Sequence, residues 1–147
     1  IEFSSDFIIG YPHESDDDFK HTMELIKKVR FTNSYSFIFS PRPGTVAADL
    51  KLIDKTKSKK RLEIIQKKLF ENQINKNKSL EGKTLNVLVE NKMKDGIKFF
   101  GRTDYMTSVI FDGNIECIGK VVQIKITSSN QNSLFGLLKE NYKQKVA

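Results

Sequence analysis

The chain of 147 residues contains one cysteine, three prolines and no tryptophan. A disulfide needs two cysteines and an iron–sulfur cluster needs several thiolates, so Cys117 alone excludes an internal disulfide and any multi-cysteine metal site within this chain. The longest apolar runs are only a few residues, far below the roughly 20 that a membrane-spanning helix requires. No signal peptide is recognisable. These absences predict a cytoplasmic protein without a membrane segment.

The formal net charge of +7 is unevenly distributed. Residues 1–54 carry six Lys/Arg against nine Asp/Glu, residues 55–79 nine against two, and residues 80–147 ten against seven. The basic excess therefore belongs to the middle and the C-terminal part, which favours a polyanionic partner such as RNA. A solvated, Lys-rich surface in a protein of Lys/Asn/Ile-biased composition is the alternative interpretation.

The first 40 residues predict a strand, a helix and a second strand. Residues 3–10 contain the apolar run Phe7-Ile8-Ile9, which is typical of a strand buried on both faces. Ser15 is a good N-cap for a helix with an acidic first turn, and residues 35–39 predict the next strand. This order indicates a βαβ unit with parallel strands. One such unit cannot bury its own faces, and the chain begins with Ile rather than Met, so we expect the end of a larger α/β domain.

The second strand stops abruptly at Ser40-Pro-Arg-Pro-Gly-Thr45. Two prolines and a glycine prevent either a strand or a helix from continuing. A rigid loop at the carboxyl end of a strand is where α/β proteins usually bind ligands, and Arg42 is its long cationic side chain. A salt bridge between Arg42 and Asp49 is the structural alternative, and Thr45 is expected to cap the next turn.

The remaining sequence predicts a helix followed by a small barrel. Residues 56–79 are strongly helical, with an apolar stripe formed by Leu62, Ile65, Leu69 and Ile74. Five short strands are then predicted at 83–90, 97–103, 108–111, 120–127 and 134–138, separated by turn signals that include Asp95-Gly96. This pattern is typical of an OB-like barrel, a fold that often binds oligonucleotides. The predicted domains are 1–54 (α/β end), 55–79 (linker helix), 80–142 (barrel) and 143–147 (tail).

Several segments resemble one family, the radical-SAM methylthiotransferases. Asp6-Phe-Ile-Ile-Gly-Tyr-Pro-His-Glu-Ser15 and residues 35–48 are similar to two of its signatures. Residues 82–85, 101–103 and 132–134 are similar to landmarks of its C-terminal RNA-binding barrel, the TRAM domain. The loop 41–45 lacks the acidic residue usual in the branch that modifies a ribosomal-protein aspartate, and the chain lacks that branch's tryptophan. The match therefore favours the branch that acts on tRNA.

The resemblance implies a fold class of α/β plus all-β. The expected architecture is the terminal βαβ unit of a radical-SAM partial (β/α) barrel, a linker helix and a five-stranded OB-like TRAM barrel. It also implies a parent enzyme that methylthiolates N6-isopentenyladenosine next to the tRNA anticodon. The family's cluster-binding cysteines are missing from this chain. The cofactors of the parent enzyme would be S-adenosylmethionine and two [4Fe-4S] clusters. Its partner would be the anticodon stem-loop of tRNA, and the parent enzyme would be a monomer. This chain alone should be inactive.

The resemblance also assigns candidate site residues. Those expected to bind the cofactor are Gly10, Pro12, Glu14, Ser40 and Pro41, although an ordinary strand-to-helix turn would equally explain the first three. Those expected to contact substrate or RNA are Arg42, Lys83, Lys98, Arg102, Lys120 and Lys125. No catalytic or metal-binding residue is expected in this chain.

Two positions depart from the family pattern, and the directions of two aromatic side chains can be predicted. The family's usual glycine is His13 here, and its arginine after Ser-Leu is Phe135.

Phe99 and Phe100 are adjacent in a predicted strand, so one should point into the barrel and the other outward. An outward phenylalanine would offer a base-stacking platform, and core packing is the alternative.

Two other functions remain open from the sequence. One is a non-catalytic RNA-binding module that retains a βαβ remnant. The other is a sister methylthiotransferase that acts on threonylcarbamoyl-adenosine or on a ribosomal-protein aspartate.

Overall fold

The computed structural model describes residues 1–94 and 96–139, which form two compact units divided between Gln73 and Ile74. Asp95 of the predicted turn, residues 140–142 of the predicted barrel and the predicted tail 143–147 lie outside the described residues. Within those residues, no helix is both long and apolar enough to cross a membrane.

The first unit contains the predicted strand, helix and strand. β1 (Asp6–Ile9), α1 (Asp16–Val29) and β2 (Tyr35–Ile38) follow one another, and the two strands pair in parallel with Asp6 opposite Tyr35. β1 is shorter than the predicted strand 3–10. The backbone oxygens of Phe3 and Ser5 still accept hydrogen bonds, from the amides of Thr32 and Tyr35. A 3-10 turn (Val46–Asp49) follows, and then the helix α2 (Lys55–Lys78), whose residues up to Gln73 belong to this unit.

The two-stranded sheet is covered on one face only. Phe7 and Ile9 pack with Ile26 of α1 and with Ile65 and Leu69 of α2. On the opposite face, three large side chains remain exposed: Ile8 at 58%, Tyr35 at 67% and Phe37 at 54%. The prediction of a strand buried on both faces is therefore wrong for this chain, because the run Phe7-Ile8-Ile9 alternates between a packed and an open face.

Helix α2 confirms three of the four predicted stripe positions. Ile65 and Leu69 are buried and Leu62 packs against them, whereas Ile74 is 44% exposed. Ile74 lies five residues beyond Leu69, which places it about 140° around the helix axis from the buried stripe. Its assignment to the stripe was wrong for this geometric reason.

The second unit is a closed five-stranded barrel. Its strands are β3 (Thr84–Lys92), β4 (Lys98–Thr103), β5 (Ser108–Asp112), β6 (Val121–Ser129) and β7 (Ser133–Leu138). They close in the order β3-β4-β5-β7-β6, with β5 and β7 parallel and the other neighbours antiparallel. The five predicted strands are present with boundaries shifted by two residues at most. A short 3-10 turn (Ile115–Cys117) was not predicted.

Alternating side chains fill the barrel. The buried core is formed by Val87, Val89, Phe99, Val109, Phe111, Cys117, Val122, Ile124, Ile126 and Leu134. Phe99 is 2% exposed and points inward, while Phe100 is partly exposed, so the predicted division between these two side chains is confirmed. Gly101 allows the barrel to close tightly, because a Cβ atom there would overlap the carbonyl oxygen of Leu88 on the neighbouring strand.

Candidate functional site

The two loops predicted to bind a cofactor start at the same edge of the sheet. Because β1 and β2 are parallel, their carboxyl ends are neighbours, and the amide of Phe39 donates to the carbonyl oxygen of Ile9 at 2.8 Å. The ring of Tyr11 then packs edge-on against the ring of Phe39, with 5.0 Å between centroids. The structure thus brings the segments that follow the two strands together.

The loop from Gly10 to Glu14 is packed against helix α2. Gly10 adopts φ 73°, and a Cβ atom there would overlap the hydroxyl of Ser58, so glycine is required by both conformation and space. The Gly10 amide donates to Oε2 of Glu14 at 2.6 Å, and Pro12 is buried. These are the contacts of a strand-to-helix turn held within the protein. A cofactor contact by Gly10, Pro12 or Glu14 stays a prediction.

Arg61 organises this loop, and the sequence reasoning did not identify its role. Its side chain is 4% exposed and forms an ion pair with Glu14 at 2.5 Å and another with Asp16 at 2.6 Å. It also donates to the backbone oxygens of Glu14 and Ser15 and lies over the ring of Phe19. The signal was present in the sequence, because Arg61 is the single arginine among the nine basic residues of the segment 55–79. Arginine suits a buried site with several acceptors better than lysine does.

A groove of about 490 Å³ opens on the other side of the same sheet edge. It is lined by Ile8, Phe37, Ile38, Phe39, Ser40, Arg42, Thr45 and Ala47. Arg42 is exposed, and the described residues contain no ion pair between it and Asp49. Thr45 occupies the N-cap position of the next turn, but its hydroxyl donates to the carbonyl oxygen of Arg42 at 2.8 Å instead of capping the turn. The groove therefore combines apolar walls with a loop whose shape is fixed internally.

The five predicted RNA-binding cations of the barrel do not form one compact cluster. Lys98 and Arg102 both lie on β4 and flank Phe100. Lys98 pairs in register with Asp112 of β5, and Asp112 pairs with Leu137 of β7. Leu137 pairs in turn with Lys125 of β6, so Lys98 and Lys125 lie in one row across the strands. Lys83 directly precedes Thr84, the register partner of Lys125. Lys120 directly precedes β6, and its carbonyl oxygen accepts a hydrogen bond from the amide of Val89.

Arg102 has the most defined surroundings of these cations. Its Nε lies 3.0 Å from Oε1 of Glu90 on the neighbouring strand, and its guanidinium carbon lies 5.4 Å from the centroid of the Phe100 ring. The side chain remains 37% exposed. A guanidinium held beside an aromatic ring on a barrel surface can meet both a phosphate and a flat base.

The described part of the chain does not suit a metal centre. Within residues 1–94 and 96–139, no three His, Cys, Asp or Glu side chains are placed to hold a metal ion together. Cys117 is buried in the barrel, with its Sγ 3.4 Å from Oδ1 of Asn114. An iron–sulfur cluster needs several thiolates, so these residues do not fit one.

Comparison with known proteins gives one family model and several close relatives. Residues 78–139 match the TRAM domain. The whole chain is 79% identical over 147 residues to a tRNA-2-methylthio-N(6)-dimethylallyladenosine synthase of Pelagibacter ubique (strain HTCC1062), of which it covers 33%. Synthases of the same name from Ruthia magnifica subsp. Calyptogena magnifica and Yersinia enterocolitica are 45% and 42% identical over 94% of the chain, which covers 31% and 30% of their lengths. The chain thus spans about a third of the curated relatives it matches.

Proposed function

We propose that this chain is the C-terminal part of a tRNA-2-methylthio-N(6)-dimethylallyladenosine synthase, the enzyme whose name its relatives carry. The parent protein would methylthiolate N6-isopentenyladenosine next to the anticodon of tRNA. The observation that supports this most strongly is the 79% identity along the entire chain to a synthase of that name. The match of residues 78–139, which include the barrel, to the TRAM domain supplies the second argument.

In this proposal the barrel holds the tRNA. A closed barrel of five short strands with a basic surface is a common platform for nucleic acids. Lys83, Lys98, Arg102, Lys120 and Lys125 would contact phosphates of the anticodon stem-loop, and these contacts would make binding strongly dependent on salt. Their distribution around the barrel suits a long polyanion better than a small ligand.

The first unit would form the end of the radical-SAM partial (β/α) barrel. Its sheet has an apolar face with Ile8, Tyr35 and Phe37 exposed, which further strands of the parent enzyme would cover. The groove at the carboxyl ends of β1 and β2 would then face the active site, and Ser40, Pro41 and Arg42 would form part of its wall. Arg42 would contact the substrate nucleotide through its guanidinium.

The residues of this chain suit S-adenosylmethionine but not the iron–sulfur clusters. S-adenosylmethionine would bind beside the groove, which is lined by apolar side chains and by residues of the loop 40–45. The two [4Fe-4S] clusters do not fit any residues described here, so other parts of the parent enzyme would hold them. The 147-residue chain is therefore proposed to be inactive alone. A monomeric parent in the cytoplasm completes the proposal.

The proposal is tested by analysing tRNA nucleosides from a strain in which the gene encoding this chain is deleted. We expect 2-methylthio-N6-isopentenyladenosine to disappear and unmethylthiolated N6-isopentenyladenosine to accumulate. An unchanged nucleoside profile would overturn the assignment to a tRNA-modifying enzyme and leave two alternatives, the non-catalytic RNA-binding module and the branch that acts on a ribosomal-protein aspartate. Loss of methylthiolated threonylcarbamoyl-adenosine instead would identify the sister branch.

A further inference from the structure

Three apolar side chains form a continuous row on the outside of the barrel. Phe100 on β4 is the register partner of Ile110 on β5, and Ile110 is the register partner of Phe135 on β7. All three are partly exposed, whereas their chain neighbours Phe99, Val109, Phe111 and Leu134 are buried in the barrel. Because side chains alternate along a strand, the row Phe100–Ile110–Phe135 faces outward.

The barrel core does not require this row. The core cluster and the partly buried hydrophobic side chains packed against it include Leu80, Leu85 and Leu138, but none of the three row residues. Two aromatic rings on the outside of a small barrel, in register and separated only by an isoleucine, are therefore not explained by interior packing. A contiguous outward apolar row of this kind indicates a binding surface.

Two cations flank the row on β4, the strand that carries Phe100. Along β4 the outward side chains are Lys98, Phe100 and Arg102, so a ring alternates with two positive charges. The guanidinium of Arg102 lies over the ring of Phe100, and its ion pair with Glu90 holds it there. On the β7 side, Phe135 is followed along the outward face by Leu137, whose register partner on β6 is Lys125. This charge pattern is complementary to a chain of phosphates that carries flat bases.

The position of the row within the barrel agrees with that ligand. The closed order β3-β4-β5-β7-β6, in which β5 and β7 are parallel, is the strand arrangement of the OB-fold. In that fold the outer face of the second and third strands binds oligonucleotides, and these strands are β4 and β5 here. Phe100 and Ile110 lie on that face.

We propose that Phe100 and Phe135 form a stacking platform for unpaired bases of RNA, with Ile110 as the apolar floor between them and Arg102 and Lys98 contacting the adjoining phosphates. Phe100 and Phe135 are two strand spacings apart, about 10 Å, so each ring takes a different nucleotide. Stacking of this kind tolerates any base, because every base has a flat π face. The inference rests on the proposed RNA-binding role of the barrel and specifies the class of ligand as single-stranded RNA.

The first test replaces each ring by an apolar side chain without a π face. Phe100→Leu and Phe135→Leu should each weaken binding of a mixed-sequence, single-stranded RNA octamer by about tenfold. Neither substitution removes a charge, so the dependence of affinity on salt should keep its slope and binding of base-free inorganic polyphosphate should stay unchanged. Phe70→Leu is the matched control, because Phe70 is an exposed phenylalanine of α2, and it should bind the octamer as the wild type does.

A second readout remains informative if a leucine variant folds poorly. The chain has no tryptophan, so Phe135→Trp introduces a single indole whose fluorescence reports its surroundings. We expect the RNA octamer to quench this fluorescence and polyphosphate to leave it unchanged, with Phe70→Trp unaffected by either. The stacking platform would be overturned if the leucine variants bound the octamer as tightly as the wild type and the octamer did not quench the fluorescence of Phe135→Trp. The RNA-binding function would remain in place. A wild-type chain that binds neither the octamer nor an anticodon stem-loop would overturn the proposed function itself.

Discussion

Arg61 joins two segments that are far apart in the sequence. Its guanidinium bonds to Glu14, which lies 47 residues earlier, and Glu14 in turn accepts the amide of Gly10 at the end of β1. The three groups form a continuous link from helix α2 to the loop at the carboxyl edge of the sheet. The geometry of that loop therefore depends on a residue that does not touch the groove.

Replacing Arg61 by methionine should destabilise the protein substantially. The substitution leaves the carboxylate of Glu14 largely buried without its cation, and breaking a buried pair in this way costs about 3 kcal/mol or more. Urea denaturation of Arg61→Met against the wild type measures the change in the free energy of unfolding. Lys59→Met, an exposed position two residues earlier, should change it by less than about 0.5 kcal/mol. A loss below about 1 kcal/mol for Arg61→Met would contradict the role assigned to the ion pair.

His13 occupies a backbone conformation that favours glycine. Its φ is 70°, in the left-handed region, where a Cβ atom is strained. We expect His13→Gly to raise the free energy of unfolding by about 0.5–1 kcal/mol, because relief of strain exceeds the added entropy of the unfolded chain. The same substitution at His21, inside helix α1, should lower it by about 0.5 kcal/mol, because glycine has a lower helix propensity than histidine. Destabilisation by His13→Gly in a thermal or urea melt would show that the histidine side chain makes a compensating contact.

At the scale of elements, helix α1 shows how much a local signal can predict. Ser15 was predicted as the N-cap, and the structure adds a complete capping box in which the Ser15 hydroxyl accepts from the Asp18 amide and Asp18 accepts from the Ser15 amide. Caps are predictable because all partners lie within four residues. The Arg61 network was not, because its partners come together only in the folded chain.

The acidic first turn of α1 should make stability fall in acid. A hydrogen bond from Ser15 lowers the pKa of Asp18, and hydrogen bonds from Lys57 and then Arg61 lower the pKa of Asp16, both from the ordinary value of 3.8. A carboxyl whose pKa is lower in the folded state stabilises the protein fully above its unfolded pKa, and this contribution is lost as pH falls through the folded pKa. Urea denaturation from pH 7 to pH 3 should show the loss beginning near pH 4.

Asp18→Asn should flatten that acid-side decline, since the variant has one fewer carboxylate to protonate. Ser15→Ala should flatten it as well, because it removes the hydrogen bond that lowers the pKa of Asp18, and it should cost about 1 kcal/mol at neutral pH. A pH profile identical to that of the wild type in both variants would refute the linkage.

The barrel strands illustrate the limit of sequence patterns at this scale. Alternation placed Val87 and Val89 inside and separated Phe99 from Phe100 correctly, because these side chains obey a period of two. The closure of the barrel and the parallel pairing of β5 with β7 depend on contacts between distant strands, which alternation alone does not encode. For that reason the row Phe100–Ile110–Phe135 became visible only in the register of the folded sheet.

At the scale of the whole molecule, the two units differ in how completely they bury their apolar surface. The barrel closes on itself and leaves no open sheet edge between its strands. The first unit leaves Ile8, Tyr35 and Phe37 exposed on one face of its two-stranded sheet. The sequence predicted an incomplete domain here from the single βαβ unit, and that stays a prediction.

The exposed face should make the 147-residue chain associate with itself. Sedimentation velocity at increasing concentration is expected to show a rising average mass, and Phe37→Asp should reduce it by placing a charge on the apolar face. Val46→Asp is the control, since Val46 is 84% exposed but lies outside the sheet. A wild-type chain that stays monomeric at all concentrations would contradict this expectation.

We propose that this chain holds tRNA through its basic barrel. The most direct test measures the binding of a labelled anticodon stem-loop to the wild-type chain as salt increases from about 50 mM to about 200 mM. If each of the five proposed cations contacts one phosphate, the Kd should rise between about a hundredfold and about five hundredfold. Lys98→Gln and Lys125→Gln should each lower the slope of log Kd against log salt by about one unit. Binding that is indifferent to salt, or no binding at all, would contradict the account.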